Sequence, residues 1–388
     1  MPVDDLLFLH PLLGADDSWS GYLVESAADA TPEEKTLARL CQNPTVAEFD
    51  HRQPWLLPTQ TGLDNKSQIS NLVQVFVSAN LATSKEHEEN LRKGRHTLGL
   101  AIASGEKLPM TGTWDYLLLS ASHARTLPPF TLLGQASRTI IVITDVHSHA
   151  DYTWSQGNAC SLSTAEFLLT RNSTGKRADM TRIKLLEMLA LIAEDADTAA
   201  IEAIFRQEPK LSYSLLRLVN SAALAPRSPI TSFAQAINLL GRRQLQRWLQ
   251  LLVYADPDNG HRPNPLLQKA AARGRLLELL APALTPAVRG DSPGDAAFMT
   301  GVFSLLDALL NMSMSEILQQ LPLQEIVHQA LAEHAGPLGQ LLQAIDSAES
   351  RDLKTAARQL EALSISGETF LEAQLTALSW AAKIHPAP

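Results

Sequence analysis

Short apolar segments alternate with polar ones over the first 170 residues of the chain. Six of the apolar segments have strand character: LLFLHPL, NLVQVFVSA, TLGLAIAS, WDYLLLSA, FTLLGQA and TIIVITD. The segments between them are polar and helix-prone, as in SKEHEENLRKG, which ends on a glycine suited to a helix C-cap. An alternation of strand and helix is typical of a parallel α/β sheet or barrel, and we expect one here.

From Met180 onward the apolar residues fall at helical spacing, and strand-like segments almost disappear. The groups are Leu185, Leu186, Leu189 and Ile192; Leu215, Leu216, Leu218 and Val219; Ala234, Ile237 and Leu240; and Leu245, Trp248, Leu249 and Leu252. Breaks are expected at Pro209 and at residues 226–229 and 256–264, which contain proline or glycine. The pattern therefore predicts an α/β domain over residues 1–170, a polar linker over 171–179 and an all-α bundle over 180–388.

Length, charge and cysteine usage narrow the class of protein. A chain of 388 residues is long enough for about two domains, and a formal net charge of −9 gives no reason to expect a nucleic-acid partner. Cys41 and Cys160 lack the spacing of a disulfide framework or a zinc site. The N-terminal segment MPVDDLLFLHPLL has no basic region of the signal-peptide kind, and no apolar run approaches the ~18 residues of a membrane span. We expect a soluble, cytoplasmic protein without a membrane partner.

The segment IIVITDVHSHAD, residues 140–151, carries candidate metal chemistry. If the strand continued through it, Asp145, His147, His149 and Asp151 would face one way, because alternate side chains share a face. Asp145, His147 and His149 are therefore weak candidates for a metal site of a metal-dependent hydrolase. A tetrahedral site needs three or four convergent donors, and no histidine follows His149 before His261, which lies in the other half.

Residues 209–249 resemble the signature of the HDOD domain, a bacterial signalling module related to the HD phosphohydrolases. The residues that carry the resemblance, with a structural or interaction role, are Leu216, Asn220, Ser221, Ile237, Leu240 and Gly241. Asn220 and Ser221 fall where a helix must stop, and their side chains can satisfy its open backbone groups. Thr231 or Ser232 can cap the next helix, which Gly241 can end in a left-handed conformation. The resemblance continues through Arg273 and Glu278 to about residue 345.

The N-terminal half resembles an EAL domain, the cyclic-di-GMP phosphodiesterase barrel that accompanies HDOD in one two-domain family. Residues 8–26 are similar to the opening of that family, with Gly21 and Tyr22 in place and Leu23 at the position of the motif's glutamate. The resemblance implies a TIM-like α/β barrel whose carboxylates hold two divalent metals and acidify a water between them.

Each carboxylate position can be compared with this chain in turn. The second-strand glutamate falls near Val73 or Gln74, and the paired aspartates fall at Ala101 and Ile102. The Asp-x-x-Lys-x-Asp strand becomes Asp115, Leu118 and Ser120, and the late glutamate pair becomes Thr144 and His147. In the second half, the position of the HD dyad holds Ser304 and Leu305 after Gly301-Val302-Phe303. The expected fold is a degenerate EAL-type barrel followed by an HDOD helical bundle, without catalytic residues or cofactors.

The function that these residues favour is a non-catalytic bacterial signalling or regulatory protein. It would act by binding unidentified signalling proteins, and a homodimer is left open. Two alternatives remain: a cyclic-di-GMP receptor without hydrolysis, which is less favoured, and the metal-dependent hydrolase of Asp145, His147 and His149. Arg242, Arg243 and Arg247 could bind phosphate or an acidic partner, although solvated arginines are common after a helix-ending glycine and that interpretation is favoured.

Overall fold

The computed structural model describes residues 6–27, 32, 34–59, 67–171, 209–221, 223–224, 226, 229–255, 262–290 and 292–384. Within these ranges it leaves out the side chains of residues 34, 209–212, 233, 234, 237 and 242. The chain divides into two compact units. One comprises Met1–Thr170, Ser347–Arg358 and Ser366–Leu371, and the other comprises Arg171–Asp346, Gln359–Ile365 and Glu372–Pro388.

Eight strands form a closed barrel in the first unit, each hydrogen-bonded to its neighbours in chain order. They are β1 (Leu7–Leu13), β2 (Trp19–Ser26), β3 (Trp55–Pro58), β4 (Leu72–Val77), β5 (Thr97–Ala101), β6 (Tyr116–Ser120), β7 (Ile140–Thr144) and β8 (Leu162–Ser163). Strands β2 to β8 are parallel, whereas β1 is antiparallel to both β2 and β8. The predicted α/β barrel is confirmed, with β1 as the exception to its parallel order.

The barrel interior is filled by apolar side chains that alternate along the strands. Every strand except β5 contributes to one buried cluster, and Ala101 of β5 packs against it. The cluster consists of Leu12, Leu23, Leu56, Val73, Val75, Tyr116, Leu118, Val142 and Leu162. Because successive residues of a strand point to opposite faces, inward positions such as Val73 and Val75 are two residues apart.

Five helices accompany the strands of the barrel. They are α1 (Glu34–Cys41), α2 (Lys85–Lys93), α3 (Ala121–Thr126), α4 (Thr131–Ala136) and α5 (His149–Gln156). The prediction that SKEHEENLRKG is helical is confirmed, and Gly94 is the C-cap of α2. The prediction of a strand at FTLLGQA is wrong, because residues 131–136 form α4, which buries Leu132 and Gln135 three residues apart on one face.

The extended conformation expected for residues 140–151 is also wrong beyond Thr144. Asp145 has a left-handed backbone with φ of 58°, which ends β7. Ser148 then caps α5, since its hydroxyl accepts a hydrogen bond from the Asp151 amide at 3.1 Å. The apolar pattern also leaves β2, β3 and β8 unmarked, because they are short or interrupted by polar residues.

The second unit is helical in its described part, as predicted. Its first helices are α6 (Pro209–Val219), α7 (Phe233–Leu252), α8 (Pro265–Leu280) and α9 (Pro293–Phe303). They are followed by α10 (Leu306–Leu310), α11 (Met314–Leu318), α12 (Glu325–Glu333), α13 (Gly336–Glu349), α14 (Leu353–Ala362) and α15 (Gly367–Ala382). Residues 180–208, where the first helical group was expected, lie outside the described residues. Pro209 begins a helix in the described part, which agrees with the preference of proline for a first helical turn.

The first stretch of the barrel unit ends at Thr170. The helical unit, however, does not include all of residues 180–388. Residues 347–358 and 366–371 belong to the barrel unit, and these segments fall within α13 to α15. Phe370 shows one reason, since its ring packs edge-on against Phe8 of β1 with centroids 5.5 Å apart. In the described parts of the chain, no helix combines the length and apolar character needed to cross a bilayer.

Candidate functional site

A cavity of about 700 Å³ opens where the parallel strands of the barrel end. Strand ends contribute Glu25 of β2, Ala101 of β5, Ser120 of β6 and Thr144 of β7 to its lining. The carboxyl ends of barrel strands are where α/β barrels place their functional groups, because the loops that follow can carry polar side chains over a rigid core. We refer to this cavity as the barrel mouth.

Several positions that the EAL resemblance assigns to metal ligands hold side chains without a carboxylate. Leu23 is 5% exposed and Val73 is fully buried, both within the apolar barrel interior. Gln74, the alternative to Val73, lies on the other face of β4, where its Oε1 accepts from the Thr59 hydroxyl at 3.1 Å. Ala101 and Leu118 line the mouth with aliphatic groups.

Asp115 is the one carboxylate that the resemblance leaves on these strands, and it lies at the opposite end of the barrel. It directly precedes β6, so it is at the amino end of that strand. Its Oδ2 accepts a hydrogen bond from the Leu98 amide at 2.8 Å, which ties the starts of β5 and β6 together. Asp115 therefore stabilises the sheet and is not part of the barrel mouth.

Arg351 places a guanidinium among the carboxylates that the barrel mouth does contain. Its Nη2 and Nε donate to the two oxygens of Glu25 at 2.6 and 2.9 Å, and its Nη1 donates to Asp145 at 2.7 Å. Glu166 is 3.7 Å from the same Nη1 and is itself 4% exposed. The side chain of Arg351 is 15% exposed, so one enclosed cation faces three carboxylates. This paired, bidentate arrangement is the geometry that guanidinium and carboxylate groups favour.

The protonation states in the barrel mouth follow from this pairing. Burial by itself would raise the pKa of Glu25, but the Arg351 guanidinium and His10 nearby lower it below its ordinary value. Burial likewise acts to lower the pKa of Arg351, and the carboxylates of Glu25, Asp145 and Glu166 outweigh that effect and raise it. Glu25 is consequently ionised and Arg351 is cationic at neutral pH.

The candidates Asp145, His147 and His149 are not brought together. Asp145 and His147 line the barrel mouth. His149 begins α5 and turns away, with its ring packed edge-on against Phe167 at 5.1 Å between centroids, and burial lowers its pKa. Asp151 pairs with Arg125 at 2.9 Å. Across the described ranges, no three His, Cys, Asp or Glu side chains are arranged to hold a metal ion.

Sequence reasoning missed the three groups that matter most in the barrel mouth. Glu25 could have been found, because it follows Leu23 by two residues on the same strand and therefore faces the same way. Glu166 is fixed locally, since it accepts hydrogen bonds from the Val146 amide at 3.1 Å and the Thr164 hydroxyl at 2.5 Å. Arg351 gives no local signal, because its partners lie more than 180 residues away along the chain.

The HDOD signature residues have structural roles in the helical unit. Asn220 follows α6, and its Nδ2 donates to the carbonyls of Leu216 at 2.7 Å and Ile230 at 2.8 Å. Its Oδ1 accepts from the Ile230 amide at 2.7 Å, so one side chain joins the end of α6 to the chain before α7. The expected role of Asn220 is therefore confirmed. Ser221 is buried, and its hydroxyl finds no hydrogen-bond partner among the described residues.

The helix α7 shows the remaining signature positions. Ser232 is its N-cap, because its hydroxyl accepts from the Gln235 amide at 3.1 Å. Gly241 interrupts the helical conformation with φ of 70° and ψ of 163°, so the expected helix stop is confirmed. Leu240 is half-buried, and the side chain of Ile237 lies outside the described residues.

A second enclosed arginine contacts Ser304, one of the two residues at the position that the resemblance assigns to the HD dyad. Arg273 of α8 is 1% exposed, and its Nη1 donates to the Ser304 hydroxyl at 2.8 Å. Its Nη2 is 2.6 Å from Asp346, which also lies 3.3 Å from His334. Hydrogen bonding to Asp346 raises the pKa of His334. Helices α8 and α9 approach closely here, since a Cβ at Gly301 would lie 2.6 Å from the Arg273 carbonyl.

Comparison with known proteins places this geometry in context. Residues 182–256 match the family model of the HDOD domain. The helical region carries an HDOD domain. This HDOD region includes Asn220 to Gly241, whose contacts are described above, while its first residues lie outside the described part of the chain.

Two curated proteins are similar to part of the chain. Cyclic di-GMP phosphodiesterase CdgJ of Vibrio cholerae serotype O1 is 31% identical over 191 residues, which is 49% of this chain and 43% of CdgJ. Uncharacterized protein YuxH of Bacillus subtilis is 32% identical over 193 residues, which is 49% of this chain and 45% of YuxH. The matched region therefore spans less than half the length of each relative.

A solved structure of the Bacillus subtilis YkuI protein, with an EAL domain, in complex with substrate c-di-GMP and calcium, is also similar. It has a TM-score of 0.33 and 12% identity, and the match covers 62% of this chain and 72% of YkuI. The predicted HDOD domain is confirmed by the family match, and the predicted order of an α/β barrel followed by a helical region is confirmed by the elements themselves.

Proposed function

We propose that this chain is a non-catalytic regulatory protein of cyclic-di-GMP signalling that acts by binding other proteins. The observation that carries the proposal is the Arg351 guanidinium in the barrel mouth, paired with Glu25 and Asp145. Hydrolysis by the EAL route uses two divalent cations, held by carboxylates, to acidify a water molecule. A guanidinium neutralises carboxylates but cannot supply a coordinated hydroxide, so it takes the place of the cations without their chemistry.

The residues present do not fit a pair of divalent cations. Leu23, Val73 and Ala101 stand where carboxylates are needed, and aliphatic groups offer no donor atom. The carboxylates that remain at the mouth are those of Glu25, Asp145 and Glu166, which share Arg351. Two-metal catalysis therefore has neither the ligands nor the free carboxylate charge that it requires.

The helical unit supports the same proposal. Ser304 and Leu305 stand where HD enzymes have their metal-binding dyad, and Ser304 accepts a hydrogen bond from Arg273. A hydroxyl that accepts from a guanidinium is a poor partner for a cation, because the two positive charges would repel each other. Without the dyad, the HDOD domain has no metal site of the HD type for catalysis. A role in which its surface binds other proteins is therefore favoured.

Purified full-length chain should therefore leave cyclic-di-GMP intact in buffer that contains Mg²⁺ or Mn²⁺. The measurement is chromatographic detection of the linear dinucleotide product, with an active cyclic-di-GMP phosphodiesterase as the positive control. The similar protein CdgJ carries the name of a cyclic di-GMP phosphodiesterase, so hydrolysis by this chain is a real alternative outcome of the experiment. Product formation by the wild type would contradict the proposal. Loss of that product in His147→Ala would then favour the metal-dependent hydrolase, and its persistence would point to another catalytic site.

A cyclic-di-GMP receptor without hydrolysis is the second candidate, and the size of the barrel mouth favours it. Its volume of about 700 Å³ falls in the range of about 300–1,000 Å³ that is usual for small-molecule pockets. Arg125 and Arg351 line it and could face phosphate groups, although Asp151 and Glu25 already pair with them. Calorimetric titration with cyclic-di-GMP separates the two candidates, since the receptor requires saturable heat and the protein-binding proposal predicts none.

Affinity purification tests the protein-binding proposal directly. Tagged full-length chain is expected to retain specific proteins from an extract of its own host. The matched comparison is Asn220→Ala, which opens the junction between α6 and α7 and should weaken retention if the HDOD region carries the contact surface. Equal retention by a tag-only control would argue against it.

A further inference from the structure

The helical unit contains a second, smaller cavity of about 220 Å³. It lies beside α7, where Arg243, Arg247 and Gln250 line it, and beside the starts of α9 and α12. At about 30 Å³ per molecule of liquid water, the volume corresponds to roughly seven waters or one small ligand. Neither function proposed above uses this cavity, which is lined by two of the arginines that the sequence offers as phosphate-binding candidates, Arg243 and Arg247.

The charged residues that line this cavity leave a net positive charge. Arg243 donates through Nε to Asp295 at 2.6 Å, and Arg247 donates through Nη2 to the other oxygen of Asp295 at 2.8 Å. Arg247 also donates to Glu278, which accepts a further hydrogen bond from Arg275 at 2.6 Å, so three guanidinium groups share two carboxylates. Both Arg243 and Arg247 lower the pKa of Asp295 although burial acts to raise it, and the network of these five groups carries a net charge of +1.

Two helix N-termini also face the cavity. Ser292 is the N-cap of α9 and Gln324 is the N-cap of α12, and both residues line the cavity. Neither side chain makes a capping hydrogen bond. The dipoles of these helices, of 11 and 9 residues, favour an anion at this place.

Buried polar atoms without partners indicate where a ligand would bind. Gln250 is 5% exposed, and within the described residues its Oε1 accepts no hydrogen bond. Arg247, with 15% of its side chain exposed, has a buried Nε that donates to no partner in that same part of the chain. A buried acceptor and a buried donor without partners are costly, and native proteins rarely leave such groups unsatisfied. A ligand with both an anionic oxygen and a donor group would satisfy both atoms.

We infer that this cavity binds a phosphate group, either as free hydrogen phosphate or as part of a small phosphorylated molecule. Oxygen atoms of the phosphate accept from Arg247 and Arg243, next to the N-termini of α9 and α12. A P–OH or hydroxyl group of the ligand donates to Gln250. Arg243 suits this role because its side chain is 63% exposed and, among the described residues, it contacts Asp295 through Nε alone.

Isothermal titration of the full-length chain with three probes tests the inference. Inorganic phosphate keeps a P–OH proton at neutral pH, glycerol 3-phosphate carries hydroxyl donors, and sulfate has no donor at all. Both phosphates are expected to bind at least tenfold more tightly than sulfate at equal ionic strength, since a hydrogen bond to a buried group contributes about that factor. Tighter binding of glycerol 3-phosphate would identify a phosphorylated molecule as the ligand, and equal or tighter binding of inorganic phosphate would identify the free ion.

Two variants separate binding from folding. Gln250→Leu keeps the size of the side chain and removes the unpartnered Oε1, so it should fold with an unchanged or higher Tm and bind phosphate about tenfold more weakly. Arg243→Gln should weaken phosphate binding severalfold and reduce its dependence on salt, because Arg243 is exposed and not needed for the fold. Arg358→Gln, which changes an exposed arginine of the barrel unit, is the matched control and should bind phosphate like the wild type.

Three results would overturn the inference. These are an absence of heat with both phosphates, sulfate binding as tight as phosphate binding, and unchanged phosphate affinity in a folded Gln250→Leu variant. Because cyclic-di-GMP hydrolysis and partner binding are measured separately, failure here leaves the proposed function untouched.

Discussion

The Arg351 guanidinium is enclosed by Glu25, Asp145 and Glu166, and this one side chain determines what the barrel mouth can do. Its backbone is left-handed, with φ of 66°, at the turn between α13 and α14. This conformation closes the end of α13, because the Arg351 amide donates to the Ala348 carbonyl at 3.0 Å and the Asp352 amide donates to the Ser347 carbonyl at 2.9 Å, as in a Schellman cap. Backbone hydrogen bonds thus hold the residue whose side chain pairs with Glu25 and Asp145.

Arg351→Met should destabilise the barrel unit by about 3 kcal/mol at neutral pH. Methionine retains much of the packing volume, but it leaves the buried carboxylate of Glu25 without its cation, and an unpaired buried charge is costly. Thermal or urea-induced unfolding measures the effect. Arg358→Met, in the same segment of the barrel unit, is the control, since Arg358 is exposed and bonds only to Lys354 and Thr355.

The pH dependence of the same variant tests the physical reason. In the wild type the pKa of Glu25 is lowered, so its pairing contributes stability above the ordinary carboxyl pKa, and this stability is lost as the pH falls through the lowered value. In Arg351→Met, burial, which raises the pKa of Glu25, is opposed by His10 but no longer by Arg351, so the pKa rises and acidification neutralises a carboxylate that has lost its guanidinium. The stability difference between the two proteins should thus be largest at neutral pH and shrink in acid. A difference that stays constant with pH would show that packing, not charge, is responsible.

At the scale of elements, local signals predicted some boundaries and missed others. The stop at Gly241 and the cap at Ser232 could be predicted because glycine and serine act on backbone conformation and on neighbouring amides. The pattern does not predict the end of β7, although Ser148 and Asp151 are three residues apart and the Ser148 hydroxyl accepts from the Asp151 amide as an N-cap. The alternation of polar residues after Thr144 suggests a longer strand, whereas the cap at Ser148 begins α5.

Substitution of two glycines by alanine is expected to change the stability of the chain in opposite directions. Gly241 has φ of 70° and ψ of 163°, a conformation that costs a residue with a side chain about 1–3 kcal/mol, so Gly241→Ala should lower the Tm. Gly134 lies within α4 and has open space where a Cβ would be, so Gly134→Ala should stabilise by about 0.5–1 kcal/mol. Calorimetry of both variants measures the shifts. Since Gly241 also has no neighbour within 4 Å of an added Cβ, a neutral Gly241→Ala would contradict the backbone explanation.

At the scale of the whole molecule, each unit has an enclosed arginine beside a position where the family resemblance places a metal ligand. The sequence indicates the ligand positions but not the arginines. The proposed loss of metal-binding carboxylates is argued residue by residue from the sequence, at Leu23 in the barrel and at Ser304 in the HDOD region. The arginines that stand beside these positions were not predicted to do so, because Arg351 is 326 residues from Glu25 and Arg273 is 31 residues from Ser304. Contacts between residues so far apart in sequence depend on the folded chain and leave no periodic signal.

Divalent cations should consequently leave the thermal stability of the whole chain unchanged. A cation at one hundred times its Kd would add about 2.7 kcal/mol, which is roughly 5 °C or more in Tm for a domain of this size. We expect no such shift when EDTA is replaced by Mg²⁺, Mn²⁺ or Ca²⁺, because Arg351 and Arg273 already pair with the nearby carboxylates. Arg351→Ala is the informative comparison. It removes the guanidinium and leaves space between Glu25 and Asp145, so this variant alone should gain a cation-dependent rise in Tm. A rise in the wild type would mean that carboxylates remain available to a metal despite Arg351, and the proposed loss of phosphodiesterase chemistry would have to be withdrawn.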